Sequence, residues 1–248
     1  VIALLAATIT VSASLSNAAV DSRYYDIQKI TVQEVSESAL QYDVQSGTIG
    51  NFATGCEQTG AALNSAQNSN VLNQASDLLN PLDVVDVSVD KIINIGKKIW
   101  AIIDAGRPAV NVKFDSANAL PAGVRCWNEL ESWGVPHSQL YQVSYQNGFG
   151  VTVISYSYRV VFIAGGSYKG QGQYITMASV QPANISVSWG FKLDATGSVP
   201  MVFNQGTKES PVAGMQMAMS WKVTSPIAEK QQVENYFING KGDLQHMQ

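Results

Sequence analysis

Three methionines at alternate positions come nearest to a chemical motif in this sequence. Met215, Met217 and Met219 form an M-x-M-x-M array, and thioether sulfur is a ligand that suits Cu(I). On a strand, the same spacing places all three side chains on one face, where methionine fills gaps in a core. We therefore favour a buried strand over a copper site, and we predict no metal and no cofactor.

The two histidines show no catalytic or zinc-binding spacing. His137 lies in a Pro-His-Ser segment, and His246 lies close to the last residue, where we expect a frayed end. The sequence contains no His-Glu-x-x-His and no Gly-x-Ser-x-Gly. Carboxylates from distant positions can still build a glycosidase site. A hydrolase acting on carbohydrate thus stays open as an alternative, although an enzyme is the less favoured class.

A glycine-rich stretch, Gly165–Gly172, has the composition of a phosphate-binding loop. It lacks the Walker spacing, and the residues from Tyr174 onward alternate as a strand where a helix should follow. The stretch therefore predicts a turn between strands.

Aromatic side chains are concentrated in the predicted strands, and they can line a groove because they are large, rigid and amphipathic. Our candidates for contact with a ligand or a membrane are Tyr156, Tyr158, Trp189 and Trp100. The alternative for each is a core of cross-strand aromatic pairs. We favour the core for any single one of them.

The strands that must position these side chains are clearest around Asn147-Gly148, which separates two alternating runs. Asn-Gly in this context predicts a two-residue type I′ hairpin turn. The resulting register pairs Tyr141 with Ile154. It also places Tyr141, Val143 and Tyr145 on the same face as the apolar side chains of the second run.

The stretch Pro81–Ala105, within a helical insertion at about 71–105, predicts one long amphipathic helix. Asn80 can cap it, and Gly106 with Pro108 can end it. At 100° per residue its isoleucines and Trp100 share one half of the wheel, and most of its charges share the other. We expect the apolar half to cover a sheet. The alternative is a helix that detaches and lies in a membrane, as in pore-forming toxins.

Residues 1–18 have the pattern of a secretory signal peptide without its basic n-region. An almost continuous apolar run is followed by Ser16-Asn17-Ala18, a small-x-small cleavage site. We expect export to the periplasm, the cell surface or the medium. In an exported chain a pair of cysteines usually forms a disulfide, so Cys56 and Cys126 are predicted to be bonded.

Composition limits the function classes that remain. A net charge of −4 and a pI near 5.1 argue against nucleic acid, whose binding needs a basic surface. Residues 19–248 are predicted to form a single β-rich domain. Its fold class is mainly β with α: an antiparallel β-sandwich or strongly curved antiparallel sheet, with the long helix packed against it.

We expect an exported, non-catalytic binding or surface-interaction protein. Its partner is an unknown protein, carbohydrate or lipid, with a membrane surface as a further option. Exported β-rich chains without catalytic motifs most often bind. A membrane-active protein that uses the 81–105 helix is the first alternative, and a hydrolase acting on carbohydrate is the second.

Overall fold

The computed structural model describes residues 21–36, 86–108 and 116–247. Strands make up most of these residues, and two short 3₁₀ turns, Ser22–Tyr24 and Trp127–Glu129, accompany them. The strands are β1 (Ile27–Val35), β2 (Ser88–Ile93), β3 (Ile99–Asp104), β4 (Arg107–Pro108), β5 (Ala117–Ala122), β6 (His137–Asn147), β7 (Thr152–Tyr168), β8 (Gln171–Val187), β9 (Lys192–Asn204), β10 (Ala213–Thr224), β11 (Glu229–Asn239) and β12 (Leu244–Met247).

Two curled antiparallel sheets of six strands each organise these elements. The first sheet has the order β1-β6-β7-β8-β5-β2, and the second has the order β12-β11-β10-β9-β3-β4. Their inner faces pack together in a sandwich-like arrangement around one hydrophobic core. The predicted antiparallel sandwich therefore agrees with the described residues, but the α part of the predicted fold class does not.

Alternating strands supply the core, as the sequence pattern predicted. Tyr141, Val143 and Tyr145 of β6 are fully buried, together with the alternate residues of β7. Met215, Met217 and Met219 of β10 are fully buried as well, in line with Trp221. The shared apolar face of the β6–β7 pair and the buried methionine strand are thus confirmed, since side chains on a strand alternate between its two faces.

Hydrogen bonds between aromatic side chains connect the two sheets across the core. The indole Nε1 of Trp221 donates to the hydroxyl of Tyr145, and the hydroxyls of Tyr158 and Tyr236 lie 2.5 Å apart. A third bond runs from the indole Nε1 of Trp100 to the carbonyl oxygen of Val180, at 3.3 Å. Burial of these aromatic side chains thereby leaves their polar atoms with partners.

The predicted helix at 81–105 is wrong for the residues that the structure describes. Residues 86–105 contain β2, a loop, β3 and the turn that leads into β4. No helix of seven or more residues occurs in the described ranges, and none found there is long and apolar enough to cross a membrane. Residues 71–85 lie outside those ranges.

The helix prediction was wrong because the apolar residues of this stretch fit both the period of a helix and the period of a strand. In β3, Trp100 and Ile102 are buried while Ala101 between them is exposed, which is the two-residue period of a strand. Valine and isoleucine dominate the stretch, and their β-branched side chains favour strands. Gly96 does allow a close approach, since a Cβ there would lie 2.6 Å from the carbonyl oxygen of Ser116. It does so in a loop, however, and not in a helix.

The turn predicted at Asn147-Gly148 is also wrong in length and register. Tyr141 pairs with Tyr158, and Ile154 pairs with Tyr145. Because the pairing is displaced by an even number of residues, the predicted face is preserved. The turn spans four residues between β6 and β7. The two-residue turn with positive φ at both positions lies instead at Lys169 and Gly170, within the glycine-rich stretch.

Two isoleucines of β3 provide a direct test of the strand assignment. Ile102 is 1% exposed and Ile99 is 68% exposed, whereas the predicted helix placed both on its buried half. We expect Ile102→Ala to lower the free energy of unfolding by about 2–5 kcal/mol through the cavity that it leaves. The matched change Ile99→Ala should stay within about 0.5 kcal/mol. Chemical denaturation measures both, and a costly Ile99→Ala would contradict this strand.

Candidate functional site

Four segments gather at one end of the sandwich, and we call them the loop end. They are residues 21–25 before β1, 148–151 between β6 and β7, 188–191 between β8 and β9, and 225–228 between β10 and β11. Strand register places them together. Val187 at the end of β8 pairs with Ile154 near the start of β7, and Thr224 at the end of β10 pairs with Lys192 at the start of β9.

The segment 21–25 connects the other three segments by hydrogen bonds. The backbone N–H of Gly148 donates to the carbonyl oxygen of Arg23 at 3.0 Å. The hydroxyl of Ser225 donates to the backbone carbonyl oxygen of Tyr25 at 3.0 Å. The hydroxyl of Tyr24 donates to the carbonyl oxygen of Trp189 at 3.3 Å. Three loops are therefore held to one short piece of chain, which limits their independent movement.

Aromatic rings form a base beneath the exposed indole of Trp189. The rings of Tyr25 and Phe191, both buried, have centroids 6.0 Å apart, and Tyr25 lies 6.2 Å from Trp189. Gly190 has φ +82°, and a Cβ there would lie 2.6 Å from the Tyr25 ring. The turn can thus close only over glycine. Trp189 itself is 74% exposed.

Three further apolar side chains project from the loop end. Phe149, Val151 and Ile227 are each about half exposed. The guanidinium carbon of Arg23 lies 4.5 Å from the centre of the Phe149 ring, a cation–π contact. The side chain of Asn147 accepts hydrogen bonds from the backbone N–H groups of Phe149 and Val151, both at 3.1 Å. Asn147 therefore sets the shape of this loop from beneath.

The charges of the loop end cancel each other. Among its four segments the charged side chains are Asp21 and Arg23, whose nearest atoms lie 2.7 Å apart. The hydrogen bond from Arg23 lowers the pKa of the Asp21 carboxyl below its usual value. Both groups are exposed, so the pair contributes little to stability. It leaves the loop end without net charge.

The structure separates the four predicted contact residues. Trp189 lies at the loop end with its ring exposed, while Tyr156, Tyr158 and Trp100 are buried in the core. The rings of Tyr156 and Tyr158 lie 6.2 Å apart, and both contact Trp221. Tyr156 and Tyr158 thus belong to the aromatic core that was the alternative for each candidate, and Trp100 is buried against Gly197.

The remaining sequence candidates pack against neighbouring side chains where they are described. Gly166 lets the ring of Trp133 approach, since a Cβ there would clash with that ring. His137 stacks on Phe162 with ring centres 4.8 Å apart. No disulfide joins two described residues, because Cys56, the predicted partner of Cys126, lies outside them. That pairing stays a prediction.

The sequence did not predict the pair that His246 forms with the carboxylate of Glu234. The Nε2 atom of His246 lies 2.5 Å from a carboxylate oxygen of Glu234, and Gln232 donates to the other oxygen at 2.8 Å. The His246 ring stacks on Tyr236 with centres 4.9 Å apart. Contrary to the expected frayed end, His246 belongs to β12 at the edge of the second sheet. Its pair with Glu234 joins this strand to β11.

A turn sequence that occurs twice in the chain could have predicted β12. Asn147-Gly-Phe-Gly150 and Asn239-Gly-Lys-Gly242 share the pattern N-G-x-G. In both turns the Oδ1 atom of the asparagine accepts hydrogen bonds from the backbone N–H groups two and four residues later. In both, the N–H of the glycine that follows the asparagine donates to a carbonyl oxygen distant in sequence. Comparison of the two would have predicted a hairpin after β11 and hence β12.

The described ranges contain one buried carboxylate, that of Glu234. They hold no group of three or more histidine, cysteine, aspartate or glutamate side chains that could bind a metal ion. The buried carboxylate Glu234 is engaged by His246 and Gln232, not by the second carboxylate of a glycosidase pair.

Comparison with known proteins adds no relative. No protein-family model matches the sequence, and neither a curated protein nor a solved structure matches it at a significant level.

The buried tyrosine hydroxyls give two contrasting substitutions. The hydroxyl of Tyr141 has no hydrogen-bond partner in the described structure, whereas the Tyr145 hydroxyl accepts from Trp221. We expect Tyr145→Phe to cost about 1–3 kcal/mol of unfolding free energy, because the buried indole N–H loses its acceptor. Tyr141→Phe should be neutral or stabilising. Equal costs in chemical denaturation would contradict this assignment.

The same burial predicts an alkaline limit to stability. Burial raises the pKa of Tyr141 and that of Tyr145 to about 12, while an unfolded phenol ionises near 10. The contribution of these neutral phenols is therefore complete below about pH 10 and is lost as the pH rises toward about 12. Denaturation midpoints between about pH 9 and 12 should fall, and Tyr141→Phe should reduce the slope. A midpoint that does not change over this range would contradict the prediction.

Proposed function

We propose that this chain is an exported, non-catalytic binding protein that engages its ligand through the loop end. The observation that carries the proposal is the exposed indole of Trp189 on a buried aromatic base. Large apolar side chains grouped at one exposed end of a domain are typical of interaction sites, and loops held by a rigid scaffold are where binding residues concentrate.

Order at the loop end supports binding rather than chance exposure. The hydroxyl of Tyr24 donates to the backbone carbonyl oxygen of Trp189, and the indole lies 6.2 Å from the ring of Tyr25, against which Gly190 packs. A side chain that is already positioned loses less conformational entropy when a ligand covers it. Tryptophan is also enriched among the residues that dominate binding energy.

The export part of the proposal rests on residues 1–18 alone, which lie outside the described residues. The alternative of a pore former that uses the 81–105 helix loses its basis, because strands occupy Ser88–Ile93 and Ile99–Asp104. The hydrolase alternative gains no support from the buried carboxylate of Glu234, which is engaged by His246 and Gln232.

Two substitutions test the loop end as a binding surface. We expect the wild-type protein to bind at least one member of a panel of immobilised glycans, peptides and phospholipid vesicles. Trp189→Ala should weaken that binding about tenfold or more. The control is Val135→Ala, since Val135 is 76% exposed and precedes β6 at the opposite end of the sandwich. Binding that survives Trp189→Ala, or no binding to any probe, would overturn the proposal.

A further inference from the structure

We infer that the ligand of the loop end is the interface of a lipid bilayer, into which the tips of three loops insert without a requirement for anionic lipid. This inference rests on the proposed binding function and names its partner class. The apolar tips are Trp189, Phe149, Val151 and Ile227, and they come from three separate turns.

The first argument concerns polar groups. A carbohydrate or protein partner is held by hydrogen bonds, about one per 100–200 Å² in protein interfaces. At the loop end, however, the polar side chains of Asn147, Ser225 and Tyr24 already bond to neighbouring loops. Asp21 and Arg23 bond to each other. The four segments carry two further small polar side chains, Ser22 and Ser188, but their large exposed side chains other than Arg23 are apolar. Such a surface suits an apolar phase better than a partner rich in hydrogen-bonding groups.

The second argument concerns the side chains themselves. Tryptophan and tyrosine are enriched at membrane–water interfaces, because their rings place an apolar body beside a polar group. Trp189 and Tyr24 have this character, and Tyr24 is half-buried beside Phe191 at a ring distance of 5.7 Å. Arg23 places its guanidinium over the Phe149 ring, so at this tip a charged group and an apolar ring lie side by side.

The third argument concerns charge and distinguishes this surface from a cationic membrane anchor. Attraction to anionic lipid needs free Lys or Arg side chains near the membrane. The one guanidinium of the loop segments is paired with the one carboxylate. The charged residues that directly follow the segments, Asp26, Lys192 and Glu229, are of mixed sign. Insertion should therefore be driven by burial of apolar area and should depend little on lipid charge or on salt.

Vesicle flotation tests the inference with the whole protein. We expect similar partitioning, within about twofold, into vesicles of pure phosphatidylcholine and into vesicles with about 30% phosphatidylserine. Trp189→Ala should lower the partition coefficient about tenfold. Quenching of tryptophan fluorescence by brominated lipid should be strong for the wild type and largely lost in Trp189→Ala.

Two valines provide the matched control. Val151 is 56% exposed at the loop end, and Val135 is 76% exposed at the opposite end. Val151→Ala should lower partitioning about threefold or more, whereas Val135→Ala should leave it unchanged. Both side chains are exposed, so thermal unfolding should show that each variant folds like the wild type.

The outcomes separate this inference from the broader proposal. No partitioning into phosphatidylcholine, a strict need for phosphatidylserine, or equal effects of the two valine substitutions would overturn bilayer insertion. If an immobilised glycan or peptide is then bound in a manner that depends on Trp189, the loop end keeps its binding function and the lipid inference alone fails. If no probe is bound, both fail.

Discussion

The packing of aromatic side chains between the two sheets is the constraint on which the rest of this structure depends. Tyr145 and Tyr158 of the first sheet meet Trp221 and Tyr236 of the second, and each pair joins its polar atoms across the core. Aromatic rings bury large apolar areas, but their hydroxyl and indole N–H groups need partners when they are desolvated. A sliding of one sheet over the other would break these bonds, so the core determines relative position as well as stability.

The core also holds the loop end in place. The strands that enter and leave the three loops are held by the sheets, and the short segment before β1 then joins the loops to one another. Trp189 is consequently exposed without being loosely held. The buried side chain of Asn147 stabilises two features at once. Its Oδ1 accepts from the backbone of the turn, and its Nδ2 donates to the carbonyl oxygen of Tyr24. An exposed apolar surface on rigid loops is consistent with a role in binding.

Local sequence pattern and tertiary context disagree most clearly at the turns. Asn-Gly at 147–148 predicted the shortest hairpin, yet the asparagine side chain accepts two backbone N–H groups and opens a wider turn. β8 ends at Val187, before the turn that exposes Trp189, and β9 then runs from Lys192 to Asn204. Contacts distant in sequence also act here: the N–H of Gly148 donates to the carbonyl oxygen of Arg23, and the ring of Trp100 lies against Gly197.

The sequence by itself determined which faces of β6, β7 and β10 are buried, because strict alternation of apolar residues admits one inward face. It also identified Trp189 as a contact candidate, although it could not separate it from Tyr156, Tyr158 and Trp100. Only the tertiary structure decided which of these four side chains are buried and which is exposed. Burial of a ring depends on whether it meets the opposite sheet or lies at a turn. It likewise decided between helix and strand for residues 88–104, because β-branched apolar residues there fit both periods and pairing of β3 with β9 settles the choice.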